Sequence, residues 1–306
     1  DYPGRRSCQS CHMPVVRDSV AVTGVLGLPR AEVSRHVFRG GNFFMLRMLN
    51  RYRAELGVGA RPEELTATVA RTEEHLRTRS ARLSVEEARL EDGTLSIGIV
   101  VENLAGHKLP TAYPSRRAWL HLTVRDSRGR TVFESGALEP DGSIVGNDND
   151  ADPRRYEPHH RRIGEADQVQ IYEAIMVGPD DEVTTGLLTA VRFVKDSRLL
   201  PSGFDKSTAP EDVAVGGGAA DDADFTGGSD RVFYEVDPGT APGPFTVEVE
   251  LWYQPIGFRW AHNLEGYGAF ETERFLRYYE AMSGVSAIVL ARASAEARAG
   301  VEPERP

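Results

Sequence analysis

"ARLSVEEARLEDGTLSIGIVVENL", residues 81–104, decides how the chain is read. In its second half Leu95, Ile97, Ile99 and Val101 fall at every other position. Period-two alternation marks a half-buried strand. "EDG" (91–93) joins the two runs, and an acidic residue followed by glycine between extended runs signals a tight hairpin. Antiparallel β-structure is therefore expected to start near residue 81.

Downstream, "AWLHLTVRDSRGRTVFESG" (118–136) repeats the scheme, with "DSRGR" (126–130) as its turn. Further strand-length runs occupy 169–177, 187–195, 231–236 and 245–256. Several short strands between turn-rich loops predict an antiparallel β-sandwich. Two long polar loops, 136–166 and 197–230, have the length of loops that carry sites or docking surfaces. "ETERFLRYYEAMSG" (271–284) and "VSAIVLARASAEARA" (285–299) read as C-terminal helices.

Upstream, residues 1–28 read as loop, punctuated by Pro3, Gly4, Pro14, Gly24 and Gly27. Pro29 suits the first turn of a short helix over 29–38. In 43–56 the residues Phe44, Met45, Met48, Leu49 and Tyr52 recur at helical spacing. A longer helix is expected over 61–81, with Pro62, Glu63 and Glu64 at its positive end. The fold class is thus α+β: a small helical segment, 1–80, then a β-sandwich module with long loops and C-terminal helices, 81–306.

Of the 306 residues 40% are hydrophobic, enough for a large core, and the net charge is −10. No basic patch dominates, which argues against a nucleic-acid partner. No run of about 18 apolar residues suggests a membrane-crossing helix. Neither a nucleophile elbow nor a phosphate-binding loop is present, so no catalytic constellation stands out.

The chemistry concentrates in "CQSCH" (8–12), which contains both cysteines of the chain. C-x-x-C-H is the attachment sequence of c-type haem. Cys8 and Cys11 stand about one helical turn apart, so their sulfurs can form thioethers to the two vinyl groups of one porphyrin. His12 can then offer a ring nitrogen to the iron. A structural zinc site would need a fourth ligand from elsewhere. A thioredoxin-like dithiol would need an α/β context. A plain disulfide across so short a loop is the remaining reading. The position of Cys8 so near the first residue creates the expectation that a leader has been removed or that further chain lies upstream.

A second axial ligand is sought among the other histidines. His36, in "RHVFRGGN", lies beside two glycines that allow close approach to a flat ring. His107 follows a strand in the Gly- and Pro-punctuated loop of "NLAGHKLPTAYPSRR", where a rigid sheet can present it. His75 on a charged helix face and His121 on a strand are weaker candidates, and Met45 and Met48 read as core. His159 and His160 fit a surface or a neighbouring haem. Arg116 and Arg117 could pair with propionates, since guanidinium matches carboxylate geometry. Asp148, Asp150 and Asp152 alternate as in calcium-binding loops but lack the full pattern with its terminal glutamate. The acidic stretch 219–230 is a further candidate cation loop.

Taken together, "CQSCHMP", "HVFRGGN", "GHKLPTAYPSRRAWLHLTVRDSRG" and "GNDNDADP" resemble the C-terminal part of periplasmic or extracellular multihaem c-type cytochromes. That resemblance covers most of the chain, and the "GHKLPT…PSRR" stretch is its more specific part. It implies a helical haem-bearing segment before a β-rich module, with haem on Cys8 and Cys11, His12 as proximal ligand, and His36 or His107 as distal ligand. Such proteins carry several C-x-x-C-H motifs and this chain has one. It is therefore expected to be the last-haem module of a longer cytochrome, or a subunit that docks on one. The expected role is electron relay to other cytochrome subunits or haem domains, outside the cytoplasm. A haem-dependent reductase or peroxidase with an open sixth site, and a mainly structural docking subunit, are the alternatives.

Overall fold

The computed structural model describes residues 7–299; Pro3 and Gly4 lie outside them. The chain is α+β. It opens with helix α1 (Cys8–His12), the short strands β1 (Val15–Val16) and β2 (Val33–Ser34), and helices α2 (Phe43–Arg51) and α3 (Pro62–Arg79). The main sheet begins with β3 (Ala81–Glu91), β4 (Thr94–Asn103), β5 (Arg117–Arg125) and β6 (Thr131–Ser135). Helix α4 (Asp148–Ala151) and strands β7 (Arg162–Ile163), β8 (Ile171–Tyr172), β9 (Ala174–Val177), β10 (Val183–Thr184) and β11 (Arg192–Asp196) fill the middle. The remainder is β12 (Ser229–Val236), β13 (Phe245–Gln254), α5 (Phe258–His262), α6 (Phe270–Glu280) and β14 (Ile288–Ala299).

The 81–104 hairpin forms as its sequence requires. Asp92 and Gly93 both take positive φ, 49° and 82°, and Glu91 pairs with Thr94 across them. A two-residue turn with both φ positive matches the right-handed twist of its strands. Strand order along the main sheet is β6-β5-β13-β14-β3-β4-β12-β7, with β8 beside β5. Among the described residues the two halves of that path meet where the end of β14 runs parallel to β3, at Arg298–Arg89 and Ala299–Leu90.

Both halves turn alternate residues into one core. Leu95, Ile97, Ile99 and Val101 of β4 join Leu120, Leu122 and Val124 of β5 and Val247, Val249 and Leu251 of β13. The helical front end buries its apolar face in the same core through Phe43, Phe44, Met48 and Leu76. Helices α2 and α3 are thereby held to the sheet by hydrophobic packing, whereas α1 buries none of its residues.

Three local expectations are corrected. Residues 288–299 are not a helix but strand β14, paired antiparallel with β13 from Phe245–Ala297 to Tyr253–Ile288. Alanine's helix propensity is a weak prior, and the open edge of β13 overrides it. Residues 29–38 are not helical: Glu32 takes φ 58° and Val33–Ser34 pairs with Val15–Val16. The 169–177 run is two strands with different partners, β8 on β5 and β9 between β10 and β11.

Candidate functional site

A cavity of about 480 Å³ opens between the front helices and the sheet. Helix α1 contributes Cys8, Cys11 and His12, and α3 contributes His75, Leu76 and Arg79. The loop after β4 brings His107, while Arg116 and Tyr253 line the wall. Both cysteines are exposed and unpaired.

Each imidazole is placed by local structure. The Nδ1 of His12 lies 2.6 Å from the Arg39 carbonyl. A carbonyl only accepts, so Nδ1 donates and Nε2 keeps its lone pair. The Nδ1 of His107 donates in the same way to the Lys108 carbonyl at 3.0 Å. Asn103, at the end of β4, holds this loop: its Nδ2 donates to the carbonyls of His107 and Leu199. Lys108 anchors the other side through Asp196, 2.7 Å away. The two ring centroids of His12 and His107 are 6.2 Å apart with planes 23° from parallel.

His75 is the third imidazole. Its centroid is 6.0 Å from that of His12, at an interplanar angle of 51°. Its Nδ1 faces the Arg39 guanidinium at 3.5 Å. Burial, then the positive charges of Arg39, His12 and Arg79, push its pKa down to about 4.

Among the described residues no carboxylate lines the cavity, and neither Arg79 nor Arg116 has a carboxylate within ion-pair distance. Two uncompensated guanidiniums in a chain of net charge −10 make the cavity a setting for an anionic ligand. Gly41 lets that wall approach closely, since a Cβ there would meet the Tyr253 hydroxyl at 2.8 Å and Arg116 at 3.0 Å. Tyr253 donates to the Gly41 carbonyl at 2.9 Å, and burial raises its pKa to about 12.

These residues fit a covalently held haem. A metal–imidazole bond is about 2 Å long, so two imidazoles on opposite sides of one metal bring their centroids to roughly 6 Å. Thiols, facing imidazoles with oriented Nε2 lone pairs, an apolar floor at Leu76 and Leu109, and the guanidiniums of Arg79 and Arg116, without a carboxylate partner among the described residues, are the donor set such a group needs.

The structure disperses the other candidates. His36 is exposed and stacks on Phe38 with centroids 6.1 Å apart; it does not line the cavity. Arg117 is buried, donates to Asp150 at 2.8 Å and to Gln254, and cannot serve a propionate in this cavity. The aspartates expected to gather around calcium are instead each matched with an arginine. Asp148 pairs with Arg155, Asp150 with Arg117 and Asp152 with Arg154. Their charge is used internally, and the three carboxylates point to three different partners. His121 sits between Glu134 and Glu250 on the outer sheet face.

His159, Asp222 and Asp230 form a separate buried cluster. Its hydrogen bonds define it as a structural network. Gln170 accepts from the His160 amide through Oε1, so its Nε2 donates to His159 Nδ1 at 2.9 Å. His159 Nε2 then carries the proton and donates to Asp222 at 2.9 Å, and both ring nitrogens are occupied. The acidic loop expected to hold a cation thus holds a histidine and, through Asp222, Arg161.

Arg79 and Tyr253 are not singled out by the sequence, and His75 ranks there only as a weaker candidate than His36 and His107. Arg79 follows His75 by one helical turn, a spacing that places both on one face of α3. Only the packing shows that this face meets the cavity.

No protein-family model matches the chain, and no curated protein matches it. Among solved structures it is similar to a penta-haem cytochrome c552 from Thermochromatium tepidum, with 16% sequence identity and a TM-score of 0.46. That similarity covers 96% of this chain and 48% of the other, so the chain spans about half the length of that neighbour.

Proposed function

We propose that the cavity holds one haem c and that the chain passes electrons. Cys8 and Cys11 supply the thioether sulfurs, His12 the proximal nitrogen, and His107 the distal one. Arg79 and Arg116 meet the propionates. The observation that carries this reading is the facing pair of His12 and His107, each with Nδ1 tied to a carbonyl and Nε2 left to bind metal. A haem held between two imidazoles supplies a one-electron couple.

The protein's part is positioning. The Arg39 and Lys108 carbonyls fix the two tautomers, which orients the rings and raises their basicity as ligands. The sheet and α3 exclude water from one side of the cavity, while the α1 side stays exposed and gives an electron a short way out. Residues 1–80 carry the attachment site and, through Gly41 and α3, part of the wall, while the module that follows provides the rest of the wall and the distal ligand. Other cytochrome subunits or haem domains are the partners this role requires. Covalent haem attachment takes place outside the cytoplasm, so the site of action is periplasmic or extracellular. No helix among the described residues is long and apolar enough to cross a membrane.

Intact mass spectrometry with a pyridine haemochrome assay on the full chain tests the reading. One covalent haem, and reduced bands unchanged by carbon monoxide, are expected. Absence of bound porphyrin mass overturns it.

A further inference from the structure

His75 has no role in the arrangement above, although its ring is as near His12 as that of His107: 6.0 Å against 6.2 Å. Either distance suits an imidazole across one metal from His12. Resting on the haem reading, we infer that the metal held by His12 has two alternative sixth ligands, His107 at rest and His75 in exchange.

Protonation sets the order of preference. His107 donates through Nδ1 to a carbonyl, so its Nε2 is ready to bind. The Nδ1 of His75 faces Arg39, which can only donate, and so its Nε2 carries the ring proton. For His75 to bind through Nε2, that proton must shift to Nδ1 and the Arg39 contact must be released. At 3.5 Å this contact is long and costs little to lose. The exchange is balanced: His107 withdraws one nitrogen pair, His75 supplies one, the proton stays on the His75 ring, and no electron is transferred. Among the described residues no carboxylate at the cavity competes for His75. His75 rides on an 18-residue helix anchored by buried Leu76, and the His107 loop is held at Asn103 and Lys108, so the exchange runs through rotation of the two side chains and not through movement of either backbone.

Low-temperature electron paramagnetic resonance of the oxidised, haem-loaded full chain tests this. Wild type is expected to show two low-spin signals, and His75→Ala one. His107→Ala is expected to remain low-spin, with shifted g values, and the double variant to become high-spin. A high-spin His107→Ala protein with its haem still attached overturns the inference, as does a high-spin His75→Ala protein. If His107→Ala fails to fold, the comparison of wild type with His75→Ala decides, and a single identical signal in both refutes exchange. Loss of covalent haem from wild type itself is a different outcome, visible by mass, and removes the underlying haem reading.

Discussion

The imidazoles of His12 and His107 face each other across the cavity, centroids 6.2 Å apart, although one follows a cysteine in the first helix and the other a β-strand. The His12 ring is oriented from a segment further along the chain, the His107 ring by its immediate neighbour. Arg39 orients the first and Lys108 the second, each by a backbone oxygen. Removing His12 tests the first half of the pair. His12→Ala is expected to keep the thioether-bound mass but lose the sharp low-spin bands, as read by visible spectroscopy.

The two cysteines are exposed and make no packing contribution to the core. Replacing both with serine is expected to abolish covalent haem while leaving the sheet folded. Far-ultraviolet circular dichroism should therefore be retained while the Soret peak disappears from acid-extracted protein.

Arg79 and Arg116 put uncompensated positive charge beside the cavity, which favours an electron arriving there. Each Arg→Ala change is expected to lower the reduction potential. A screened charge interaction of about 1 kcal/mol corresponds to roughly 40 mV for one electron. Spectroelectrochemical titration of the two variants measures this, and a rise in potential refutes the placement at the propionates.

Arg117 tests the corrected assignment. Its guanidinium and the Asp150 carboxylate are both buried and bonded to one another at 2.8 Å. Arg117→Ala leaves Asp150 as an uncompensated buried charge, and the expected loss is about 3–5 kcal/mol. Chemical denaturation reads that loss, while the reduction potential should move far less than in Arg116→Ala.

The His159–Asp230 network gives a pH signature with two opposed signs. Burial pushes His159 down to about 4, below its ordinary value, so its contribution is intact above about pH 6.5 and is lost as pH falls toward 4. Burial pushes Asp230 up to about 7, so the native state prefers the protonated acid and stability is lost as pH rises from about 4 to 7. Asp230→Asn keeps an acceptor oxygen for Tyr172 and Gln170 and removes the charge. It is expected to stabilise the protein at pH 8 by on the order of 2 kcal/mol, with little change at pH 4. Thermal unfolding at the two pH values checks this, and a variant destabilised at pH 8 contradicts it.

Much of the framework was legible because its signals are local. Asp92–Gly93 demands one kind of turn, and the alternation of Leu95 to Val101 demands one buried face. The 285–299 segment reads as a helix from its alanines, yet its Ala-x-Ala-x alternation has the period of the strand that residues 288–299 form. Arg117 and Arg116 are neighbours with opposite fates, one buried on Asp150 and one at the cavity wall, because successive residues entering a strand point to opposite sides.

By itself the sequence determined the C-x-x-C-H spacing of Cys8, Cys11 and His12, the start of the sheet at Ala81 and the hairpin turn, since each depends on residues a few positions apart. Tertiary structure alone decided that His75 and His107 reach His12, that His36 does not, and that the aspartates of 148–152 are matched with arginines. Those outcomes depend on how α3 and the loop after β4 pack against a shared core, and burial between segments distant in sequence leaves no local pattern to read.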